Sequence, residues 1–292
     1  MLGHAFHDIL TKSYLHTEVV ALGRRDLDIT DRDKVLSMRS VNFDYIIHCA
    51  ADTNADRCEI HPENCYETQV TGTRNILELA ELSKAWVFYP QTFLIFHDSE
   101  CLIGEDDLPN PQSVYATCKL EAERLIRSSA VQSTVVRMAG FFGGDERDKN
   151  FVGKFTRHLV KLLNEGTTSY SVGNRIWQPT FTEDLAQNSL LLLDYGYEGV
   201  LHMGSEGEVS FFDLARTCVR LLNLDKFIDI VPADEQNFTN SDIALRPHRA
   251  ILSNERLKAQ ELYAQRHWEA SLAEYLKHPW FTTLYSNLTG II

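Results

Sequence analysis

No stretch of about 18 consecutive apolar residues, the length a bilayer-crossing helix needs, runs through the 292-residue chain, so it does not read as a membrane protein. Basic charge is scarce: 28 Lys and Arg stand against 41 Asp and Glu, a formal net charge of −13. This argues against non-specific nucleic-acid binding, which needs basic surface to displace counterions, and leaves anionic small ligands open where basic residues gather locally. The six cysteines (Cys49, Cys58, Cys65, Cys101, Cys118, Cys218) include no Cys-x-x-Cys pair. They read as buried thiols in a reducing cytoplasm rather than as a disulfide framework or a zinc site. His4 and His7 share a helix face but have no third ligand nearby, so no metal site is expected. No basic region followed by an apolar segment marks a signal peptide, which makes the cytoplasm the expected compartment.

What is present is ordinary globular material, 44% hydrophobic and 24% charged, in a chain long enough for a large core. Leu2, Ala5, Phe6, Ile9 and Leu10 recur at helical spacing, so a helix is already running at the start. Beyond it, short β-branched runs alternate with helical segments. "EVVAL" (18–22) reads as a strand and 31–39 as a helix; "YIIHCAA" (45–51) as a strand and 66–82 as a helix. "AWVFYPQT" (85–92) and "STVVRMAG" (133–140) read as further strands, with helices over 114–128 and through "NFVGKFTRHLVKLL". This alternation predicts an α/β fold, a doubly wound parallel (Rossmann-type) sheet with helices on both faces. After about residue 165 the rhythm changes to short strands ("TSYSVGN", "GVLHMG", "FIDIVPA") with helices over 183–193 and 211–222. The expected division is a dinucleotide-binding part over 1–165 and a smaller α/β substrate-binding lobe over 166–292, interleaved with the first.

The sharpest local feature is "VYATCK", which puts Tyr115 and Lys119 four apart on one helix face. A phenol has an unperturbed pKa of about 10, and a neighbouring ammonium lowers it toward a usable acid–base group. The small residues Ala50 and Ala51 in "HCAADT" let a flat ligand approach a strand end, and Thr92 closes the next strand at the same carboxyl edge, where doubly wound sheets bind ligands. After "EVVAL", Gly23, Arg24 and Arg25 stand where an acidic residue would read the adenosine ribose; two guanidinium groups suit a 2′-phosphate, hence NADP(H).

The ordered set "HCAADT", "YPQT", "PNPQSVYATCKLEAE", "RMAGFFG", "NF", "QPTFTEDLA" and "LRPHRAIL" spans nearly the whole chain and resembles the dTDP-4-dehydrorhamnose reductase family of extended short-chain dehydrogenases. The resemblance implies that Tyr115 donates the proton to a sugar C4 oxygen. Lys119 would hold the nicotinamide ribose, and Thr92 would bond the reacting carbonyl. Leu2 and Gly3 would stand at the cofactor's helix, with Asp28 and Ile29 beside the adenine and Cys49, Ala50, Ala51 and Thr53 along the dinucleotide. Phe93, Gly140, Asn150 and Arg246 would face the substrate, a nucleotide-linked 4-keto-6-deoxysugar, with dTDP-4-dehydrorhamnose as the default. The implied partners are that substrate and, for assembly, a second copy in a homodimer.

Family members carry a strand and a glycine-rich turn before the first helix, with glycines spaced G-x-x-G-x-x-G. Gly3 fits the last of these, so an upstream strand of about 5–6 residues and its turn are expected to complete the protein. There are other departures. Phe93 replaces a family aspartate, Gly140 a tryptophan that packs on the sugar, and Gln69 an asparagine; "NVYGxTK" has become "SVYATCK". These changes touch sugar-contacting groups more than Tyr115 and Lys119. They leave two alternatives: a reductase or epimerase of another nucleotide-sugar, and a non-catalytic NADP-binding regulator like the methionine adenosyltransferase β subunit.

Overall fold

The computed structural model describes residues 1–233 and 242–286. In chain order the first half runs α1 (Leu2–Ser13), α2 (Arg32–Ser37), β1 (Tyr45–Ile47), α3 (Ala55–Ile60), α4 (Pro62–Tyr66), α5 (Gly72–Ser83), β2 (Trp86–Thr92), α6 (Val114–Ser128), β3 (Ser133–Met138) and β4 (Phe141–Phe142). The second half adds α7 (Phe151–Asn164), β5 (Ser169–Val172), β6 (Ile176–Trp177), β7 (Thr180–Phe181), α8 (Thr182–Tyr195), β8 (Gly199–Met203), β9 (Val209–Ser210), α9 (Phe211–Leu221) and β10 (Asp229–Pro232). Short helices follow at Glu255–Ala259, Trp268–Tyr275 and Pro279–Tyr285.

The main sheet is parallel throughout and ordered β1-β2-β3-β8. Alternation along β2 sends side chains to both faces, and each face is covered. Phe88 meets Leu2, Ala5 and Phe6 of α1 and Leu185, Leu190 and Leu193 of α8. Val87 and Tyr89 meet Leu77 and Ala80 of α5 and Ala122 and Ile126 of α6. A third cluster gathers α7, α9, β5, β10 and the last helices around Leu159, Leu214, Leu272 and Phe281. "GVLHMG", grouped above with the late strands, is β8 of the main sheet, and α8 lies against α1. The late residues therefore return to the first layer.

Helix termini follow local chemistry. Asp31, Asn54 and Ser113 cap α2, α3 and α6 by accepting from backbone N–H groups of the first turn. The segment 66–82, expected as one helix, contains a π-helical stretch at Glu67–Thr71 between α4 and α5.

"EVVAL" is corrected by the structure: residues 18–22 form no strand. A strand exists by virtue of a partner for its N–H and C=O groups, and among the described residues β1 pairs with β2 on one side only. The 18–22 segment is accordingly open to solvent, Val20 at 40% and Leu22 at 45%, as is Tyr45 of β1 at 51%. The "YIIHCAA" strand is likewise shortened to Tyr45–Ile47.

The neighbouring loop is fixed by a close approach. Ile29 is buried with Val35, Ile76 and Leu79, and a Cβ placed on Gly72 would stand 2.5 Å from its Cδ1 and 2.7 Å from its Cγ1. Gly72→Ala is therefore expected to destabilise the protein by about 1–3 kcal/mol, in line with other overpacked cores. Adding Ile29→Val should recover part of the loss, a coupling that urea titration of the single and double variants reads directly.

Candidate active site

β2 ends at Thr92, whose register partner on β3 is Met138, so both strand ends open on one edge. α6 runs beside that edge. Ser113 caps its N-terminus, and the four-residue spacing turns Tyr115, Lys119 and Glu123 to one buried face, at 7%, 4% and 1% exposure. The Tyr115 phenol lies near the Thr92 side chain. Burial, then the nearby Cys58, Cys65 and Asp52, push the phenol above its usual range, and the Thr92 contact pulls the other way. The phenol therefore holds its proton at neutral pH. Lys119 sits deeper: its Nζ donates to the Pro90 carbonyl at 2.7 Å and lies 3.8 Å over the Tyr89 ring. Burial lowers its pKa to about 7, with Cys49 and Glu123 opposing. The ammonium is thus directed to the strand backbone, and burial rather than Lys119 dominates the phenol's titration.

Behind this pair is a buried polar net that the sequence reading missed. Arg137 of β3 grips Glu123 with two bonds, Nε at 3.2 Å and NH2 at 2.7 Å, both side chains nearly inaccessible. Gln91 donates to Glu123 at 3.0 Å and to the Lys119 carbonyl at 2.8 Å, while its Oε1 accepts from the Thr92 N–H at 2.8 Å. On the far side the Arg137 NH1 lies 3.4 Å from Nε2 of His202, whose Nδ1 lies 3.0 Å from the Ile103 carbonyl. Burial, reinforced by Arg137, holds His202 neutral with a pKa of about 3. Nδ1 then carries the proton toward the carbonyl, and Nε2 accepts from Arg137. The signal for Glu123 was available, since it continues the 115–119 spacing by four.

The remaining expected residues fall in several places. Leu2 is buried beneath the sheet in the cluster around Phe88, while Gly3 stays exposed and packs its α-carbon side toward Cys49, where a Cβ would be 3.4 Å from Cys49 Cβ. That puts the α1 N-terminus, which has no side-chain cap, beside the loop Cys49–Ala50–Ala51–Asp52–Thr53 that leaves β1. Burial raises the Cys49 thiol to about 12. Asp28 accepts from the Thr30 N–H at 3.1 Å and hydroxyl at 2.8 Å, bonds that lower its pKa, and from Arg24 at 3.4 Å. Ile29 faces the core at Gly72, and Arg24 and Arg25 are exposed. Gln69 donates to the Asp52 carbonyl at 2.7 Å, holding the loop after β1.

On the substrate side, Asn150 bonds the Phe141 carbonyl through its side-chain amide at 2.6 Å. Arg246 reaches Asp56 at 3.0 Å and Asp242 at 3.2 Å, and Asp242 also takes Arg175 at 3.1 Å. This chain of charges ties the β1–α3 side of the site to the late residues. Phe93 begins a short 3-10 turn directly after Thr92. At Gly140 the space a side chain would fill is occupied by Trp177, whose Nε1 would be 1.7 Å from an added Cβ. Three thiols, Cys58, Cys65 and Cys118, pack with Tyr115 in one small cluster, and the described cysteines are all unpaired. Among the described residues no grouping of His, Cys, Asp and Glu could hold a metal ion, and no helix is long and apolar enough to cross a membrane.

The arrangement can bind an extended anionic cofactor and deliver a proton. Unsatisfied N–H groups at the α1 terminus suit phosphate, and Tyr115 and Lys119 lie along the same edge. A family model described as the RmlD substrate binding domain matches residues 1–280. A dTDP-4-dehydrorhamnose reductase of Mycolicibacterium smegmatis is 30% identical over 263 residues, covering 89% of this chain and 77% of that one. A dTDP-4-keto-6-deoxy-D-glucose reductase of Streptomyces niveus is 29% identical, covering 89% and 88%. Among solved structures, a dTDP-4-dehydrorhamnose reductase from Clostridium acetobutylicum superposes with a TM-score of 0.85 at 29% identity over 94% of each chain. A Bacillus anthracis dTDP-4-dehydrorhamnose reductase, solved in complex with NADP, gives 0.85 at 23% identity over 94% of each chain, a likeness of fold.

The buried net makes a sharp expectation. Glu123→Gln leaves Arg137 without a counter-charge at 2% exposure and should cost about 3–5 kcal/mol in urea unfolding. Replacing both partners by Leu and Met should cost markedly less, because no charge is then left unpaired.

Proposed function

Because the chain belongs to the RmlD substrate binding domain family, we propose that it catalyses the NADPH-dependent reduction of the C4 ketone of a nucleotide-linked 4-keto-6-deoxysugar, with dTDP-4-dehydrorhamnose as the default substrate. It is an oxidoreductase with NADP(H) as cofactor, working in the cytoplasm as part of nucleotide-sugar synthesis. The observation that carries the reading is the placing of Tyr115 and Lys119, on a helix locked to the sheet by Glu123 and Arg137, beside the carboxyl end of β2 where Thr92 stands.

Residues 1–165 hold the dinucleotide in this reading, and the late residues that surround Trp177 and Arg246 receive the sugar. The uncapped N-terminus of α1 and the loop Cys49–Thr53 hold the pyrophosphate, and the exposed guanidinium groups of Arg24 and Arg25 take the 2′-phosphate. Bound NADPH supplies the hydride. Tyr115, protonated at neutral pH because burial raises its pKa, gives its proton to the C4 oxygen as charge develops there. The Thr92 hydroxyl lies within reach of the same oxygen and orients it. Lys119, near its own midpoint at neutral pH, anchors the ribose and makes the phenol easier to ionise when charged.

Tyr115→Phe should lower kcat by roughly 10²–10⁴-fold while leaving NADPH affinity and melting temperature near the parent's. Turnover at the parental rate would remove Tyr115 from the reaction. Replacing Arg24 and Arg25 together with Ala should weaken NADPH binding roughly ten- to a hundredfold, the worth of a charge-assisted contact, and leave NADH binding nearly unchanged. Equal losses for the two cofactors, measured by titration calorimetry, would show that these arginines do not read the 2′-phosphate.

A further inference from the structure

We infer that Gln91 is a positioning residue for the reduction: its side-chain amide ties the Thr92 backbone to the helix that carries Tyr115 and Lys119, and so sets where the Thr92 hydroxyl points. The inference rests on the reductase reading above and adds to it a residue that acts through Thr92 rather than on the sugar. Gln91 is the last residue of β2 but one and is 3% exposed. Alternation along the strand puts it on the side of Val87 and Tyr89, the face that α5 and α6 cover.

The amide is fully committed. Its Nε2 donates to the Lys119 carbonyl at 2.8 Å and to Glu123 at 3.0 Å, and its Oε1 accepts from the Thr92 N–H at 2.8 Å. Two acceptors on one side and a donor on the other admit a single amide orientation, because a flip would set oxygen against oxygen and N–H against N–H. Neither partner on α6 is free to follow a wandering strand end. The Lys119 carbonyl belongs to the helix backbone, and Glu123 is held by Arg137.

Thr92 is what this fixes. Its N–H is held by Gln91, while its Oγ1 accepts from the Leu94 N–H at 3.2 Å at the start of the 3-10 turn Phe93–Ile95. A hydroxyl has one hydrogen and two acceptor sites, so the Leu94 contact leaves the Thr92 hydrogen for the carbonyl that is reduced. A second link from α6 to the strand end, Lys119 Nζ on the Pro90 carbonyl, uses a long flexible side chain that the reaction also employs. Gln91 is shorter, buried and bonded at both ends. Small misplacements of a reacting group lower kcat steeply, which makes a rigid tie of this kind a kinetic device.

The experiment compares steady-state kinetics of the parent, Gln91→Met, Thr92→Val and the double variant with a dTDP-linked 4-keto-6-deoxyhexose and NADPH. Gln91→Met keeps the length of the side chain and removes all three bonds. It should lower kcat roughly ten- to a hundredfold, with NADPH affinity close to the parent's. In the Thr92→Val background, where no hydroxyl is left to aim, the same change should lower kcat by less than about threefold. An equal loss in both backgrounds, or a parental kcat in Gln91→Met, overturns the inference and leaves the reductase reading standing. Gln91→Glu decides the matter if Gln91→Met does not fold. The introduced carboxyl faces Glu123, with Arg137 and Lys119 beside it, and while protonated it still donates to Glu123 and accepts from the Thr92 N–H. Its kcat relative to the parent's at the same pH should therefore be highest at acid pH and fall as the carboxyl ionises. A pH profile parallel to the parent's overturns the inference. A parent that turns over no 4-keto nucleotide-sugar fails the reductase reading and this inference with it.

Discussion

The arrangement of the site depends on one buried ion pair. Glu123 and Arg137 lie at 1% and 2% exposure, and taking two such charges out of water costs several kcal/mol per ion unless geometry and further hydrogen bonds compensate. The two-bond grip, Gln91 on one side and His202 on the other provide that compensation. Because each partner belongs to a different element, the pair ties α6, β2, β3 and β8 at the level of Tyr115 and Lys119. Packing of Leu, Val and Phe would hold these elements together with latitude. A directional charge pair gives one register, which is the property a proton donor needs.

The same pair shows why part of the molecule was legible in the sequence and part was not. Helical period announces itself locally, so α1, α6 and α8 were readable from Leu2–Phe6, from the Tyr115–Lys119 spacing and from the apolar stripe of 183–193. A strand's existence is settled by a neighbour far away in the chain. "EVVAL" has strand composition and no ladder, and "GVLHMG" joins the main sheet through β3, a pairing across about sixty residues that periodicity does not encode. In the site, Tyr115, Lys119 and Thr92 came from motif and edge position. Arg137, by contrast, lies in a strand that otherwise reads as core, and the partners that make it tolerable there, Glu123 and His202, are visible only once β3 and β8 pair.

Charge also joins the two ends of the chain. Asp56 on α3 meets Arg246, which shares Asp242 with Arg175. Hydrophobic clusters in this protein stay largely within a layer, around α1 and α8 on one face, α5 and α6 on the other, and α7 and α9 beyond. Across the mouth of the site the connection is ionic and partly exposed, so it is sensitive to salt in a way the core is not.

The contact between Gly140 and Trp177 imposes an order on change. With the indole nitrogen 1.7 Å from where a Cβ would stand, no side chain at position 140 can coexist with Trp177 in its present pose. A lineage arriving at this arrangement must have had glycine at 140 before, or together with, the tryptophan at 177. The reverse journey is just as restricted, because residue 140 can regain a side chain only after the indole has gone. A contact of a few atoms thereby makes the shape of this corner directional in sequence space: a side chain at 140 requires the indole at 177 to move or to be replaced.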